Sequence, residues 1–185
     1  MQIEALSIPD IKRIVPSKYG DSRGFFSETW SAAKFESQGV AAQFVQDNQS
    51  FSAQKGTVRG LHCQVAPHAQ GKLVRVLKGA IWDVVVDIRQ GSPSYGQWVA
   101  TELSAENWAQ LWIPVGFLHG FCTLQPDTEV FYKVTGDYAK DCERAVRWND
   151  PTLALPWPVE GAVHLSDKDA QAPLFNPQDS WFTYP

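Results

Sequence analysis

The sequence predicts a mainly β protein of antiparallel strands, and two features of the middle of the chain support this prediction. Apolar and polar residues alternate in short runs between residues 72 and 134, and turn-forming residues separate the runs. The turns at Gly91-Ser92-Pro93, Pro114-Val115-Gly116 and Gln125-Pro126-Asp127 have the spacing of a β-sandwich or barrel. A chain of 185 residues fits one domain, which we expect to span residues 1–185.

Six strands account for this alternation. The first two form a hairpin around Gly79, because Lys72–Lys78 and Ala80–Ile88 both alternate with a period of two. Residues two apart on a strand share a face, so His62 and Gln64, just upstream, should project together. The four remaining strands are expected at residues 97–103, 110–113, 119–124 and 129–134.

Helical signals are few. Two short helical elements are predicted: a helix around Ala32–Ser37, ended by Gly39, and a turn from Ala105 to Trp108 behind a Ser104 cap. From Trp148 onwards, repeated prolines interrupt any long regular element. We therefore expect the C-terminal tail to wrap the β-structure as irregular chain.

The charge and composition exclude several classes of partner. The net charge is −4 with acids and bases interspersed, so there is no basic stripe for nucleic acid. No stretch reaches the ~18 apolar residues of a membrane helix, and the N-terminus does not resemble a signal peptide. We expect a cytoplasmic protein that contacts neither nucleic acid nor membrane. Its three cysteines fit no disulfide framework and are expected to be reduced: Cys63, Cys122 and Cys142.

Histidines and glycines recur at a suggestive spacing in two segments. The segments resemble the two motifs of the cupin superfamily, jelly-roll barrels in which His, His, Glu and His hold one metal. This resemblance implies a cupin-type jelly-roll barrel. The matching positions are Gly56, His62, Gln64, Lys72 and Gly79 in the first motif and Pro114–His119 in the second.

Two of the expected metal ligands are replaced. Gln64 stands at the second histidine position, and Lys72 stands at the glutamate position. A lysine ammonium has no lone pair for a metal, but it can stabilise a developing oxyanion. We therefore predict no metal and no cofactor. A metal-dependent cupin isomerase or oxygenase is an alternative, which would have to recruit His68 and a carboxylate as ligands.

The residues themselves indicate acid–base chemistry on an anionic ligand. His62 suits a general base because an imidazole titrates near neutrality. Arg23, Arg59 and Lys72 each lie beside a glycine, where the backbone can approach a ligand closely. Together with Lys168, these separated cations suit the binding of a pyrophosphate. Arg59 and His62 have opposite strand parity, so they reach one cavity only if the strand begins or bulges between them.

Ordered matches along nearly the whole chain resemble the dTDP-4-dehydrorhamnose 3,5-epimerase family. The matches run from about Ile3 to Asp169. The principal segments are Gly24–Glu28, Gln46–Asn48, Arg59–Gln64, Gly71–Gly79, Ile113–Phe121, Glu129–Lys133, Trp148–Pro151 and Leu165–Asp169.

The resemblance implies a cofactor-free epimerase acting on dTDP-4-dehydro-6-deoxy-D-glucose, in dTDP-L-rhamnose biosynthesis. By position, His62 matches the general base, Asp169 its orienting partner, Tyr132 the opposing acid and Lys72 the cation near the keto oxygen. Tyr138 matches the residue that stacks on thymine. The remaining matches are nucleotide- and sugar-binding positions, namely Arg23, Glu28, Asp47, Asn48, Gln49, Arg59, His119, Glu143 and Lys168.

The resemblance leaves several points open. The family usually has histidine where Gln49 stands and a basic residue where Phe51 stands, so nucleotide contacts there can differ. Related enzymes epimerise only C3 or only C5 of a dTDP-4-keto sugar, and a non-catalytic sugar-nucleotide binding module is a further alternative. We favour double epimerisation because the proton-transfer residues are all present. The resemblance also implies a homodimer with strands shared across the interface.

Overall fold

Two antiparallel sheets packed face to face dominate the computed structural model, which describes residues 1–185. The helices are short: α1 spans Ala32–Glu36 and α2 spans Asp167–Ala170. Fifteen strands are present: β1 Gln2–Ala5, β2 Lys12–Val15, β3 Tyr19–Asp21, β4 Gly24–Phe26, β5 Gln46–Ser52, β6 Val58–Gln64, β7 Lys72–Lys78, β8 Ala80–Asp87, β9 Arg89–Gln90, β10 Trp98–Ser104, β11 Gln110–Ile113, β12 Phe117–Thr123, β13 Thr128–Val134, β14 Glu143–Ala145 and β15 Phe182–Thr183.

The strand order brings sequence-distant segments together. One sheet has six strands in the order β1-β2-β11-β7-β13-β5, and the other has five in the order β10-β8-β12-β6-β14. All neighbours in both sheets are antiparallel. This confirms the mainly β, cupin-type jelly-roll architecture predicted from the sequence. Two small ribbons complete it, the hairpin β3–β4 and the parallel pair β9–β15.

The main core lies between the sheets and follows the strand alternation. Ile81 and Val85 of β8 point into it, where they meet Phe121 of β12 and Val130 of β13. Removing buried aliphatic groups from such a core costs ~2–5 kcal/mol per Leu or Ile truncated to Ala. This packing fixes the distance between the sheets, and hence the width of any cavity between them.

The outer faces of both sheets are covered as well. Val84 and Val86, which alternate with Val85 on β8, pack under the C-terminal tail with Leu153 and Leu155. Phe35 of α1 covers the outside of the six-stranded sheet. The tail is mostly irregular, as expected, although α2 and β15 interrupt it. Because the tail lies against the five-stranded sheet, its residues can reach a site formed by that sheet.

The turn predicted behind Ser104 is confirmed. Residues 105–107 form a turn in which the Ser104 hydroxyl accepts a hydrogen bond from the Asn107 N–H, and the Asn107 side chain accepts hydrogen bonds from the backbone N–H groups of Ser104 and Ala109. Trp108 then adopts a φ of 60°, which ends helical geometry. Strands β1 and β2 were not predicted, since Gln2–Ala5 and Lys12–Val15 are short and largely polar.

Two expectations from composition concern the cysteines and the membrane. Cys63, Cys122 and Cys142 are free thiols, and the first two are buried. Burial raises the pKa of Cys63 to about 12 and that of Cys122 to about 11, so both stay protonated near neutrality. None of the helices has the length and apolar character needed to span a bilayer.

Candidate active site

A cavity of about 570 Å³ lies between the two sheets. His62 and His119 reach it from the five-stranded sheet, and Lys72 and Tyr132 reach it from the six-stranded sheet. The register explains this grouping. His119 is the direct cross-strand partner of His62, while Tyr132 lies opposite Val74, two residues along β7 from Lys72.

A histidine–aspartate pair forms one wall of the cavity. His62 Nε2 lies 2.6 Å from Asp169 Oδ1, and the carboxylate is 5% exposed. Burial acts to raise the pKa of Asp169, but the hydrogen bond and charge of His62, with Ser166 and Lys168, outweigh it and hold that pKa below its usual value. An ionised Asp169 can only accept a hydrogen bond, so Nε2 of His62 carries the hydrogen and donates it. This leaves Nδ1 of His62 as the nitrogen with a free lone pair.

The tail delivers Asp169 to this position by two local devices. His164 bridges Thr57 beside β6, and its carbonyl accepts a 3.0 Å hydrogen bond from the Val58 N–H. Ser166 then caps α2, its side chain accepting a 3.1 Å hydrogen bond from the Asp169 N–H. These contacts bring together two residues that lie 107 positions apart in the chain.

Burial shifts the pKa values of Lys72 and Tyr132 in opposite directions. Burial lowers the pKa of the Lys72 ammonium, and the charges of Asp83 and Glu143 partly counteract it. Burial raises the pKa of the Tyr132 phenol, while Arg59 acts to lower it. Tyr132 is therefore a neutral proton donor near pH 7, with a cation close enough to stabilise its phenolate.

A β-bulge brings Arg59 into the same cavity. On β12, His119 pairs with His62 and Phe121 pairs with Arg59, so three steps along β6 match two along β12. Gly60 makes this possible: its φ is 112°, and a Cβ there would lie 2.6 Å from the His119 carbonyl oxygen. Arg59 and His62 have opposite strand parity, and this bulge between them allows both to reach one cavity.

A second histidine–aspartate pair was missed from the sequence. His119 Nε2 lies 3.0 and 2.9 Å from the two carboxylate oxygens of Asp83, which is fully buried. Burial lowers the pKa of His119, and the Asp83 charge opposes this. A signal was present, because Asp83 shares the core-facing parity of Ile81 and Val85 on a largely apolar strand.

A second cavity of about 360 Å³ adjoins the first and shares His62, Lys72, Tyr132 and Glu143 with it. Asn48 and Tyr138 line this second cavity. Glu143 connects its parts, since one oxygen lies 2.6 Å from Lys168 Nζ and the other accepts a 3.3 Å hydrogen bond from the Tyr138 hydroxyl. Arg59, His119, Lys168 and Asp169 line the first cavity.

Four of the residues singled out from the sequence line neither cavity. Asp47 and Gln49 have the opposite parity to Asn48 on β5 and pair with the neighbouring strand, Asp47 with Lys133 and Gln49 with Glu129. The other two residues, Arg23 and Glu28, form ion pairs at the surface. Arg23 pairs with Asp21, and Glu28 pairs with Lys34.

The cupin-type ligand positions do not form a cluster of ligands. His62 and His119 each direct Nε2 at a carboxylate, and the buried Gln64 amide is hydrogen-bonded to backbone groups. No group of three or more His, Cys, Asp or Glu side chains is arranged to hold a metal ion. What the cavity does hold is a histidine oriented by a carboxylate, a neutral phenol and a partly buried ammonium.

Comparison with known proteins gives one consistent result. The family model described as dTDP-4-dehydrorhamnose 3,5-epimerase matches residues 5–177. The chain is 51% identical to the dTDP-4-dehydrorhamnose 3,5-epimerase of Sinorhizobium fredii (strain NBRC 101917 / NGR234), covering 94% of this chain and 89% of that protein.

Two crystal structures extend the comparison to three dimensions. One is dTDP-6-deoxy-D-glucose-3,5-epimerase from Legionella pneumophila in complex with dTDP-4-keto-L-rhamnose, with a TM-score of 0.94, 47% identity and coverage of 100% of this chain and 98% of that one. The other is dTDP-4-dehydrorhamnose 3,5-epimerase from Bacillus anthracis with TDP and PPi bound, with a TM-score of 0.91, 49% identity and coverage of 94% and 99%.

Proposed function

This chain belongs to the dTDP-4-dehydrorhamnose 3,5-epimerase family, and we propose that it inverts C3 and C5 of its sugar nucleotide by proton transfer alone. The substrate is dTDP-4-dehydro-6-deoxy-D-glucose and the product is dTDP-4-dehydro-L-rhamnose. One observation carries the mechanism: the His62–Asp169 pair shares a cavity with a partly buried cation, Lys72, and a neutral phenol, Tyr132.

Proton abstraction begins at the carbon beside the C4 ketone. The Nδ1 lone pair of His62 takes the proton, and the C–H electron pair becomes part of an enolate whose charge rests on O4. Lys72 stabilises that oxygen, and Asp169 stabilises the imidazolium formed on His62. Both charges develop during the step, so both interactions are stronger in the transition state than in the bound substrate.

Inversion is completed from the opposite face. Tyr132, on the six-stranded sheet, donates its phenolic proton to the carbon and becomes a phenolate, which Arg59 stabilises. Exchange with solvent then returns a proton to Tyr132 and removes one from His62. The same pair acts at the second carbon once the sugar has turned in the cavity.

The nucleotide part of the substrate is proposed to extend from the first cavity into the second. Arg59 and Lys168 line the first cavity and supply positive charge for the diphosphate. Tyr138, a residue that is 58% exposed and lines the second cavity, offers a flat ring surface for thymine.

We further propose a homodimer that uses the β3–β4 hairpin. The hairpin pairs only with itself and exposes Tyr19, Phe25 and Phe26, an apolar surface that a second copy would cover. Arg23 lies on the same hairpin, outside its own cavity. In a dimer it would reach the cavity of the second copy and add a cation there.

One NMR experiment in D₂O tests the function. We expect deuterium at C3 and at C5, with both exchanges abolished in His62→Ala. His68→Ala, which alters an exposed histidine in a loop, serves as the control and should retain both. Exchange at one carbon alone would identify a monoepimerase, binding without exchange would identify a binding module, and undiminished exchange in His62→Ala would refute the assigned base.

A further inference from the structure

Gln64 occupies a position in which all of its polar atoms are used. It follows His62 by two residues on β6 and is 5% exposed. Its Nε2 donates to the carbonyl oxygens of His68 at 2.7 Å and Asp137 at 3.0 Å, and its Oε1 accepts from the Ala139 N–H at 2.7 Å. Two carbonyls and one N–H permit only one orientation of the amide.

Two of these bonds lie on either side of one residue. The Asp137 carbonyl and the Ala139 N–H flank Tyr138, so one side chain fixes the backbone before and after that ring. Tyr138 itself has only long polar contacts, 3.4 Å from its N–H to Gln46 and 3.3 Å from its hydroxyl to Glu143. Gln64 therefore provides the strongest hold on this loop at the ring position.

The rest of the loop, residues 135–139, is tied to the segment after β6. Gln70 donates to the Gly136 carbonyl, and Gly71 and Thr135 exchange hydrogen bonds of 2.8 and 3.0 Å. These bonds hold the start of the loop whether or not Gln64 is present. Loss of Gln64 would free the ring position without unfolding the loop.

We propose that Gln64 is a positioning residue that sets Tyr138, and with it the nucleotide, in register with His62. The inference rests on the proposed function, in which Tyr138 receives the base of the substrate. Because Gln64 and His62 share one strand and one face, a rigid connection runs from the base that moves protons to the ring that holds the nucleotide. Gln64 lines the second cavity, but all of its polar atoms are bonded to backbone groups, so it acts by holding the loop.

The test separates KM from kcat. Gln64→Met keeps the length of the side chain and removes all three hydrogen bonds, and we expect KM and the Kd for dTDP to rise about tenfold with kcat within about twofold. Gln110→Met is the matched control: Gln110 is 2% exposed and donates to the Thr29 carbonyl at 2.7 Å, away from both cavities. It should lose stability without any change in KM.

A double variant identifies the route of the effect. If Gln64 acts through Tyr138, Gln64→Met should not raise KM further in a Tyr138→Ala background. If the two substitutions instead multiply their effects on KM in the double variant, the inference is overturned. An unchanged KM in Gln64→Met, or a fall in kcat alone, also overturns it. If Gln64→Met does not fold, Gln64→Glu retains the acceptor for the Ala139 N–H and should raise KM severalfold; an unchanged KM there also overturns it.

The same variants separate the two proposals. An unchanged KM in Tyr138→Ala would refute the role given to Tyr138 under the proposed function. A raised KM in Tyr138→Ala with a normal KM in Gln64→Met would refute only the role given to Gln64.

Discussion

Replacing Asp169 by Asn tests the central pair most directly, because it keeps the shape of the side chain and removes its charge. In the proposed mechanism the abstraction begins with Nε2–H of His62 directed at the Asp169 carboxylate, 2.6 Å away. After abstraction His62 is an imidazolium, and the same contact becomes an ion pair. An asparagine can accept the hydrogen bond but cannot balance the new charge, so we expect the loss to fall on kcat.

The burial of the pair sets the expected size of the effect. The side chains of His62 and Asp169 are 24% and 5% exposed. Exposed ion pairs contribute ~0–1 kcal/mol, whereas breaking a buried one costs ~3–5 kcal/mol. The pair lies near the buried limit, and a loss of about 3–4 kcal/mol corresponds to a rate lower by about 10²–10³-fold.

Deuterium incorporation at C3 and C5, followed by NMR, measures this loss separately at each carbon. Asp167→Asn is the control, since Asp167 lies on the same helix α2 and is exposed, and its exchange should match that of the wild type. Thermal unfolding of both variants shows whether the fold persists. If folded Asp169→Asn retains more than about a tenth of the wild-type exchange rate, the charge of Asp169 does not support His62 as argued.

Three further predictions concern the remaining groups. Burial lowers the Lys72 pKa, so the lysine loses its charge as the pH rises through that lowered value. We therefore expect kcat/KM to fall at a pH below 10.5, and we expect Lys72→Arg to move this fall to higher pH. Tyr132→Phe should still exchange the abstracted proton but return it without inversion, which NMR of the product detects. Mixing inactive Arg23→Ala and His62→Ala should restore activity, because a mixed dimer has one intact site; no recovery, despite dimers on a sizing column, would refute the shared site.

Periodicity predicted the parts of the fold that depend on local pattern. The hairpin of β7 and β8 follows from alternation around Gly79, and the near-continuous apolar run of β8 reflects burial on both faces, under the tail and against the other sheet. The turn behind Ser104 also follows from a local cap signal, and it ends after one turn because the Asn107 side chain accepts hydrogen bonds from the Ser104 and Ala109 N–H groups.

The site was harder to predict because its contacts are long-range. Strand parity separated Arg59 from His62, and only the approach of β12 to Gly60 shows that a bulge reunites them. Asp169 was identified solely through family resemblance, since no local pattern connects it to a histidine 107 residues away. Asp83 could have been found, because a carboxylate on the core face of an apolar strand requires a partner.

The cupin-like positions show why a motif can locate a site without defining its chemistry. A metal needs several lone pairs directed at one point, whereas the polar atoms of these side chains are directed at separate partners in other segments. Asp169 orients His62, Asp83 orients His119, and the backbone around Tyr138 orients Gln64. Each partner fixes one polar atom and so determines which atom remains for the substrate. For His62 that atom is Nδ1, and the general-base role proposed for it follows from the tail residue that holds Nε2 rather than from the motif itself.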